Sequence, residues 1–400
     1  MVTVAEADRI IKAQVVSYGT MSVPIQTAMG HVLAEDLYAD RDLPPYDRVT
    51  MDGIAIGYAS FAKGIRSFRI ITTMAAGDAP VELASEDECV EIMTGAALPA
   101  SADTIIRYED LDIANGIATV TISEIKKGNA IHYKGKDKKT GDVVVTANRV
   151  IDATVISMAA TVGKGMLSVK KLPRVVIVST GDELVSIEET PNPYQLRQSN
   201  NYTLRSIAQQ YGIAADMIHI PDDLHITRTQ LSICIEAYDV ILLTGGVSMG
   251  KFDYVPRVLE DLKVEQLFHK VRQRPGNPFW FGKHATGLLV FAFPGNPVST
   301  FMCAQRYFVP WLQESLGVKR KPVFAQLAAD ISFVPQLQYF AQVTLSISET
   351  GQLTATPIEG NGSGDFANLV NSDAFMELPM ERSNFNKGEV YLVWPFKPLS

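Results

Sequence analysis

The fold of this chain is decided by the stretch Val175-Val176-Ile177-Val178-Ser179-Thr180-Gly181-Asp182-Glu183-Leu184. Its first four residues form a continuous apolar, β-branched run, which is typical of a strand buried on both faces of a parallel sheet. The other predicted strands are 216–220, 240–243 and 288–291, and the predicted helices are 200–212, 227–238 and a segment after Pro297. Strands that alternate with helices indicate right-handed crossovers and therefore a doubly wound parallel α/β sheet.

Loops rich in glycine and polar residues follow three of these strands. In an open parallel sheet, ligands bind at the carboxyl ends of the strands, where the crossover direction reverses. Glycines let the backbone approach a ligand closely, and consecutive N–H groups and helix starts attract anions. The sequence predicts a phosphate or pyrophosphate site, although such glycines can also simply turn the chain. The candidate residues are Thr180, Gly181, Asp182, Gly245, Gly246, Ser248, Gly250, Pro294, Gly295, Asn296 and Pro297.

Carboxylates mark the same edge of the predicted sheet. Glu183 follows the first strand, Asp222 follows the second, and Asp253 lies beyond the glycine loop of the third. Mg²⁺ beside a phosphate is usually held by one or two carboxylates together with substrate oxygens. These acids are therefore candidate metal ligands and catalytic groups, while a loop carboxylate can also serve as a helix cap or a solvated charge.

Cations are sparse along the chain and alternate in one short segment. Lys270, Arg272 and Arg274 occupy every second position of a run that reads as extended, so we expect their side chains to face one side. An oxyanion needs local positive charge of this kind. The alternative is an ordinary solvated strand face.

Composition argues against several classes of protein. The net charge of −8 lacks the basic surplus of a general nucleic-acid binder. The three cysteines do not suit a disulfide framework and are expected to be buried thiols, and the six histidines show no zinc-binding spacing. The G-x-G-x-x-G and G-x-x-x-x-G-K-[ST] fingerprints are absent. With no visible signal peptide and no apolar run of about 18 residues, the expected compartment is the cytoplasm.

Segments outside the sheet predict further domains. Thr3 and Glu6 form a capping box before the apolar residues 10, 11, 15 and 16, which predict a first helix, and 149–163 predicts another. Short β-prone runs lie between these helices, at 68–71, 89–93, 104–106 and 118–122, and indicate a β domain inserted into a helical one. Alternating strands return at 341–347, 353–357 and 389–394 and predict a small C-terminal β domain.

The expected architecture is therefore a multidomain α/β protein with added β domains. Its parts are a discontinuous helical domain, an inserted β domain, the doubly wound α/β domain and a C-terminal β-barrel domain. The expected boundaries are 1–39 with 138–170, then 40–137, 171–320 and 321–400.

The order of the motifs is more specific than any one of them. They are Asp52-Gly53 after Pro44, Thr94-Gly95-Ala96-x-Leu98-Pro99, Gly135-x-Asp137, Thr180 to Leu184, Ser199-Asn200, Thr244 to Gly250 with Asp253-Tyr254, Arg274-Pro275-Gly276 and Pro294 to Ser299. In this order and spacing they resemble the molybdopterin molybdenumtransferase family, which includes the bacterial enzyme and the E domain of gephyrin. The resemblance covers nearly the whole chain.

The resemblance implies a homodimer with a cleft between the α/β domain of one subunit and the inserted domain of the other. It implies adenylylated molybdopterin and molybdate as substrates, with Mg²⁺, giving molybdenum cofactor and AMP. A molybdopterin adenylyltransferase is a possible partner, and no nucleic acid or membrane is expected. The implied site residues are the acids Asp52, Asp137, Glu183, Asp222 and Asp253, the cations Lys270 and Arg274, the polar or loop residues Thr94, Gly95, Ser199 and Asn200, and for molybdate Arg274, Pro278 and Ser363.

Three residues depart from the family pattern at positively charged positions. Asn277 stands where the family has the second lysine of a K-P-G-K-P loop, and Ala341 and His132 align with arginines. Each charge-assisted contact contributes roughly 1.5–3 kcal/mol. These departures therefore predict a weakened molybdate pocket.

Two other functions stay open at this stage. One is a related molybdopterin-binding-domain enzyme, either a molybdopterin adenylyltransferase or a nucleotide pyrophosphatase or deamidase, against which the additional β domains argue. The other is a dimeric scaffold of the gephyrin kind, which would need a hydrophobic groove for a peptide. The sequence does not distinguish molybdate from tungstate.

Overall fold

A computed structural model describes residues 1–246 and 254–398. The chain forms two compact units, the first made of Met1–Ala34, Asn148–Asp152 and Ser168–Ser400, the second of Glu35–Ala147 and Ala153–Leu167. The discontinuity along the sequence agrees with an inserted region. The finer division into four domains stays a prediction.

A six-stranded sheet forms the centre of the first unit. Its strands are β1 Val175–Thr180, β2 Asp216–Ile220, β3 Val240–Thr244, β4 Glu265–His269, β5 Trp280–Lys283 and β6 Leu289–Phe293. Their order across the sheet is β2-β1-β3-β6-β5-β4, and β2, β1, β3 and β6 run parallel. The chain passes from β1 to one side and returns to the other, so the crossover direction reverses between β1 and β3.

The doubly wound prediction is confirmed by how the strands are buried. All residues of β1, β3 and β6 are buried, and successive residues of β1 join different cores: Val175 and Ile177 one cluster, Val176 and Val178 another. Helices cover both faces, with Leu204 packed in the first core and Leu231 in the second. The covering helices are Ser199–Gln210, Leu224–Ala237, Val255–Asp261 and the long segment that follows β6.

Two details of this sheet were not predicted. The strand β5 pairs antiparallel with β6, and β4 pairs antiparallel with β5 at the edge of the sheet. The helix expected at 227–238 begins three residues earlier, at Leu224, because the Asp223 side chain accepts hydrogen bonds from the N–H groups of His225 and Ile226.

The helical segment after β6 contains a local irregularity. It runs as an α-helix over Pro297–Cys303, a π-helical stretch over Ala304–Phe308 and an α-helix over Val309–Ser315. Arg306, on the π-helical stretch, is 4% exposed. Its guanidinium binds both carboxylate oxygens of Asp8, at 2.6 and 2.7 Å, and Glu377 at 3.0 Å.

The C-terminal region is a closed five-stranded barrel, as the sequence predicted. Its strands are Val323–Leu327, Gln338–Ile347, Leu353–Pro357, Ala374–Leu378 and Val390–Pro395. The second strand pairs with both the third and the fourth, which closes the barrel. Smaller elements are the paired strands Ile331–Ser332 and Asn384–Phe385, the helix Phe366–Leu369, and Gln273–Arg274, which adds to the second barrel strand.

The first helix confirms one part of its prediction and corrects another. Thr3 and Glu6 form the expected capping box, and the helix spans Val4–Lys12. Val15 and Val16 lie beyond its end and are exposed, so their inclusion in the apolar face was wrong. Thr20–Pro24 and the 3₁₀ turn Ile25–Thr27 follow, and Leu184–Val185 pairs with Leu196–Arg197 elsewhere in this unit.

The second unit contains the expected β structure. Across its six-stranded sheet the strands are Thr104–Arg107, Gly53–Ile56, Glu88–Ile92, Ser67–Met74, Ile117–Val120 and Leu111–Ala114. Short pairs join Arg48–Val49 to Ile131–His132 and Leu37–Tyr38 to Val143–Val145. Its helices are Tyr58–Ala62, the 3₁₀ turn Tyr108–Asp110 and Ala153–Thr161, the last shorter than the predicted 149–163, and Met166–Lys170 is a strand at the boundary.

Two expectations from composition can be compared with the structure. Cys89, Cys234 and Cys303 are free and buried, as predicted. Within residues 1–246 and 254–398, the helices lack the combined length and apolar character needed to cross a membrane.

Candidate anion-binding site at the edge of the sheet

The loops after β1 and β3 touch at the point where the crossover direction reverses. Gly245 and Gly246 have φ values of 88° and 62°, which favour glycine. A Cβ atom on Gly246 would lie 2.6 Å from the Thr180 hydroxyl oxygen, and one on Gly245 would lie 2.8 Å from the Thr180 carbonyl oxygen. The predicted close approach of backbone segments is therefore real, and it requires glycine.

Two adjoining cavities open at this edge, with volumes of about 590 and 420 Å³. Thr180, Glu183 and Gly245 line both cavities. The candidate residues found in one cavity or both are Thr180, Gly181, Glu183, Ser199, Asn200, Asp222, Gly245, Gly246, Pro278, Pro294, Gly295, Asn296 and Pro297. Residues that are distant in sequence thus share one hollow. Ser248, Gly250 and Asp253 lie outside the described residues.

Asn200 ties three of the loops together. Its side-chain amide donates to the Thr244 hydroxyl at 2.9 Å and to the Gly295 carbonyl at 2.7 Å. Its helix begins at Ser199, and Gln198 at the cap makes no side-chain bond to the first-turn N–H groups. Free N–H groups and the helix dipole at this position favour an anion.

The described carboxylates at the edge have different surroundings. Glu183 and Asp222 both line the 420 Å³ cavity. Asp182 instead accepts a hydrogen bond from the Asp222 N–H at 3.0 Å, so its carboxylate holds the neighbouring loop. In the part of the chain that the structure describes, three or more His, Cys, Asp or Glu residues do not converge on one metal position. Two oxygen-donor side chains beside an anion site suit Mg²⁺, which keeps most of its ligands from water and phosphate.

A third cavity, of about 730 Å³, lies between the sheet domain and the barrel. Arg274, Pro278 and Ser363 line it, as does Asn296. The Asn296 amide donates to the Ser363 hydroxyl at 2.9 Å, and the Arg274 guanidinium lies 6.0 Å from the centre of the Phe333 ring. Asn296 lines all three cavities and so connects them.

Asn277 and Ala341, which stand where the family has charged residues, lie in different surroundings. The Asn277 side chain turns back and donates to the Val271 carbonyl at 2.8 Å. Ala341 is buried in the barrel core, whereas its neighbour Gln342 lines the 730 Å³ cavity. Sequence reasoning missed Gln342, although strand alternation could have assigned it to the opposite face from Ala341.

The prediction that the side chains of Lys270, Arg272 and Arg274 face one side is partly wrong. Lys270 has a φ of 71°, a left-handed conformation that interrupts an extended run. Only Gln273–Arg274 forms a strand, with Gln273 buried and Arg274 exposed. Arg274 therefore reaches the cavity from a different backbone context than Lys270.

The second unit brings several further candidate residues near one another. The Asp52 carboxylate accepts a hydrogen bond from the Thr94 N–H at 2.6 Å, and this bond, with one from the Thr94 hydroxyl, holds the pKa of Asp52 below its ordinary value. Gly95, with a φ of 92°, donates its N–H to the Val49 carbonyl at 2.9 Å. Asp137 accepts from His132 at 2.9 Å. Asp52 and Asp137 are thus held by hydrogen bonds, and both are exposed.

Fold and site together define an α/β protein with a candidate anion-binding site at the switch point of its sheet. Three family models match it: the MoeA N-terminal region (domain I and II) over residues 2–163, a probable molybdopterin binding domain over 176–314, and the MoeA C-terminal region (domain IV) over 325–396.

Relatives match over nearly their whole length. The chain is 36% identical to the molybdopterin molybdenumtransferase of Synechocystis sp., covering 98% of this chain and 99% of that protein. Identity to the Staphylococcus epidermidis molybdopterin molybdenumtransferase is 28%, over 97% and 94%. The solved molybdopterin biosynthesis MoeA protein from Pyrococcus horikosii superimposes with a TM-score of 0.83 at 27% identity, over 100% of both chains. The chain belongs to the MoeA family of molybdopterin molybdenumtransferases, enzymes of molybdenum cofactor biosynthesis.

Proposed function

We propose that this enzyme inserts molybdate into adenylylated molybdopterin and releases AMP, with Mg²⁺. The observation that carries the proposal is the position of Asn296, which lines the two cavities at the sheet edge and the larger cavity beside the barrel. Because the three cavities share this wall residue, we propose that one ligand extends from the anion-binding loops to an adjoining oxyanion pocket.

The phosphate end of the ligand is proposed to lie against the loops after β1, β3 and β6. Gly181, Gly245 and Gly246 allow close approach of the backbone, and the helix that begins at Ser199 directs N–H groups to the same edge. Fixed dipoles of this kind stabilise charge that develops on a phosphoric anhydride as it is cleaved. No covalent nucleophile is required.

Mg²⁺ would be held by Glu183 and Asp222, with Asp253 as a third ligand. The first two line the 420 Å³ cavity, and their oxygen atoms are the donors that this ion prefers. A bound Mg²⁺ supplies neutralisation of the anhydride charge. Asp182 fixes the backbone of Asp222 and so keeps that loop in place.

Molybdate is proposed to bind in the 730 Å³ cavity. Arg274 supplies positive charge, Ser363 supplies a hydroxyl, and Pro278 shapes the wall. Lys270 does not line any of these three cavities, and its role in binding the pterin substrate stays a proposal. Asn277 adds no charge here, because it is an amide bound to the main chain. We therefore expect a weaker oxyanion pocket than in relatives with a lysine at this position.

We further propose a homodimer in the cytoplasm whose active site combines the sheet edge of one subunit with Asp52, Thr94 and Asp137 of the other. The support is that these residues are polar, exposed and held in place by hydrogen bonds within their own unit. Reduced cysteines fit a reducing compartment. A molybdopterin adenylyltransferase would be a natural supplier of the adenylylated substrate.

The decisive experiment follows AMP release from adenylylated molybdopterin with Mg²⁺ and either molybdate or tungstate. We expect AMP and molybdenum cofactor to form together, and Glu183→Gln to reduce turnover about 100-fold or more. Glu188→Gln is the matched control, because Glu188 is exposed on the same loop outside both cavities. Synthesis of the adenylylated pterin from ATP, or hydrolysis unaffected by molybdate, would contradict the proposal.

The shared site is tested by mixing two inactive variants. Asp52→Asn should leave the fold and dimer intact while abolishing turnover. If sites are shared, a heterodimer of Asp52→Asn and Glu183→Gln subunits has one site with both defects and one site intact, so activity returns. If each site uses residues of a single subunit, both sites stay defective and the mixture remains inactive.

A further inference from the structure

A chain of three side chains in the second unit reaches the candidate acid Asp137. The strands Arg48–Val49 and Ile131–His132 pair antiparallel, with His132 directly opposite Arg48. The Arg48 Nη2 atom lies 3.3 Å from His132 Nδ1, and His132 Nε2 lies 2.9 Å from an Asp137 carboxylate oxygen. The imidazole therefore bridges a guanidinium and a carboxylate.

The guanidinium and the carboxylate together decide which nitrogen of His132 carries the proton. Arginine offers only N–H donors and does not lose its proton in proteins. The Nδ1 atom that faces Arg48 must then accept, and a neutral imidazole with an accepting Nδ1 carries its hydrogen on Nε2. This N–H group points at Asp137 and donates to it.

The backbone around Asp137 is fixed independently of this bridge. The Asp137 N–H donates to the Leu43 carbonyl at 2.9 Å, and the Lys134 N–H donates to the Asp47 carboxylate at 2.8 Å. The His132 side chain is 23% exposed and that of Asp137 is 56% exposed. The loop is held in place while the carboxylate remains open to a ligand, so the rotation of the carboxylate depends on His132.

We propose that His132, fixed as its Nε2–H form by Arg48, is a positioning residue that orients Asp137 for the reaction. The inference deepens the proposed function and rests on it, because Asp137 is there a group that meets the substrate. Arg48 then exerts, through a neutral imidazole, the orienting effect that an arginine at position 132 would have exerted directly. The Asp137 carboxylate thereby gains one directed hydrogen-bond donor.

Nitrogen-15 NMR of the full-length protein tests the tautomer without using activity. Spectra of ring-labelled histidine are recorded at about pH 8, where free imidazole is neutral, and the His132→Asn variant identifies the resonance. We expect a protonated Nε2 and an unprotonated Nδ1. A protonated Nδ1 in the wild-type protein would overturn the proposal. In the double variant Arg48→Gln, Asp137→Asn, which lacks both charged partners of the imidazole, we expect a mixture of both forms.

Kinetics of AMP release then test the positioning role. His132→Leu should lower kcat about 10-fold, the loss expected when one hydrogen bond to a charged group is removed, with little change in KM for the pterin. His132→Gln, whose amide can donate to Asp137, should recover most of the activity at the same thermal midpoint as His132→Leu. Equal loss in both variants would show a merely structural role and would contradict the proposal.

Failure of this inference can be told apart from failure of the proposed function. Full activity of Asp137→Asn would remove the positioning role while AMP release persists. A wild-type protein that releases no AMP would remove the proposed function, and the proposal that rests on it, whatever the tautomer of His132.

Discussion

The tetrapeptide Pro-Gly-Asn-Pro occurs twice, at 275–278 and 294–297, and the two copies have different structures and roles. In the second copy, Asn296 lies at the start of a helix, lines three cavities and binds Ser363. In the first copy, Asn277 binds the main chain at Val271. Both copies follow a strand and both line the 730 Å³ cavity, but only Asn296 also lines the two cavities at the sheet edge, whereas Asn277 is tied to the main chain.

The glycines of the two copies differ in their steric surroundings. Gly276 has a φ of 87°, and a Cβ atom there would lie 2.5 Å from the Cys303 sulfur. A Cβ atom on Gly295 would meet its nearest neighbour, Gly245, at 3.8 Å, an ordinary contact. Only the first copy needs glycine for steric reasons.

The largest expected difference concerns stability. Gly276→Ala should lower the free energy of unfolding by roughly 2–5 kcal/mol, because it combines left-handed strain with overpacking. Gly295→Ala should change it by about 0.5 kcal/mol or less. Denaturant unfolding of both variants measures the contrast, and equal losses would break the distinction drawn between the two copies.

The two asparagines should differ in activity. Asn296→Ala should lower kcat/KM for AMP release about 10- to 100-fold, because it removes a group shared by all three cavities. Asn277→Ala should cost about 1 kcal/mol of stability through the lost bond to Val271 and leave kcat/KM within about 3-fold. Steady-state kinetics and thermal unfolding separate the effects, and a reversed order would refute the assignment of roles.

Charge placed on the first copy should sharpen the comparison. Asn277→Lys should lower the molybdate concentration for half-maximal insertion about 10-fold, since one charge-assisted contact is gained beside Arg274. The gain should shrink as salt is raised. Asn277→Met, similar in length but uncharged, is the control, and an equal gain in this variant would exclude an electrostatic cause.

The smallest effect is expected at the partner of Asn296. Ser363→Ala removes the hydroxyl that accepts from Asn296 and should lower kcat/KM about 3- to 5-fold. The double variant with Asn296→Ala should be little worse than Asn296→Ala alone, because the two residues share one bond. Additive losses in this double-mutant cycle would mean that Ser363 acts separately from Asn296.

Much of the sheet edge could be predicted because its signals are local. A β-branched run predicts a buried strand, and glycines directly after it mark the place where loops meet, so Thr180, Gly245 and Gly295 followed from the sequence. The strands β4 and β5 carried no comparable signal, because β4 is a largely accessible edge strand and β5 is only four residues long and contains a glycine. The helix ends at Lys12 and Leu224 depended on local capping hydrogen bonds made by Ala13 and Asp223.

Other parts of the site depended on contacts between distant residues. The left-handed conformation of Lys270 has no signature in its side chain, and it separates this residue from the strand that carries Arg274. The bond between Asn296 and Ser363 spans 67 positions, and the bridge from Arg48 to Asp137 depends on the pairing of two short strands. Such long-range geometry becomes visible only once the chain is folded.

Arg306 links the stability of the first helix to the stability of the C-terminal barrel. Its buried guanidinium takes one carboxylate from the first helix and another from the barrel, so neither segment can be removed without leaving a charge poorly compensated in a dry interior, at a cost of roughly 3–5 kcal/mol. Three family models match three separate stretches of sequence. Arg306 nevertheless couples the stability of the first helix to that of the barrel, because it binds an acid in each of them. A chimera that carries the barrel of a relative should therefore be stable only if that barrel has an acidic residue at the position of Glu377.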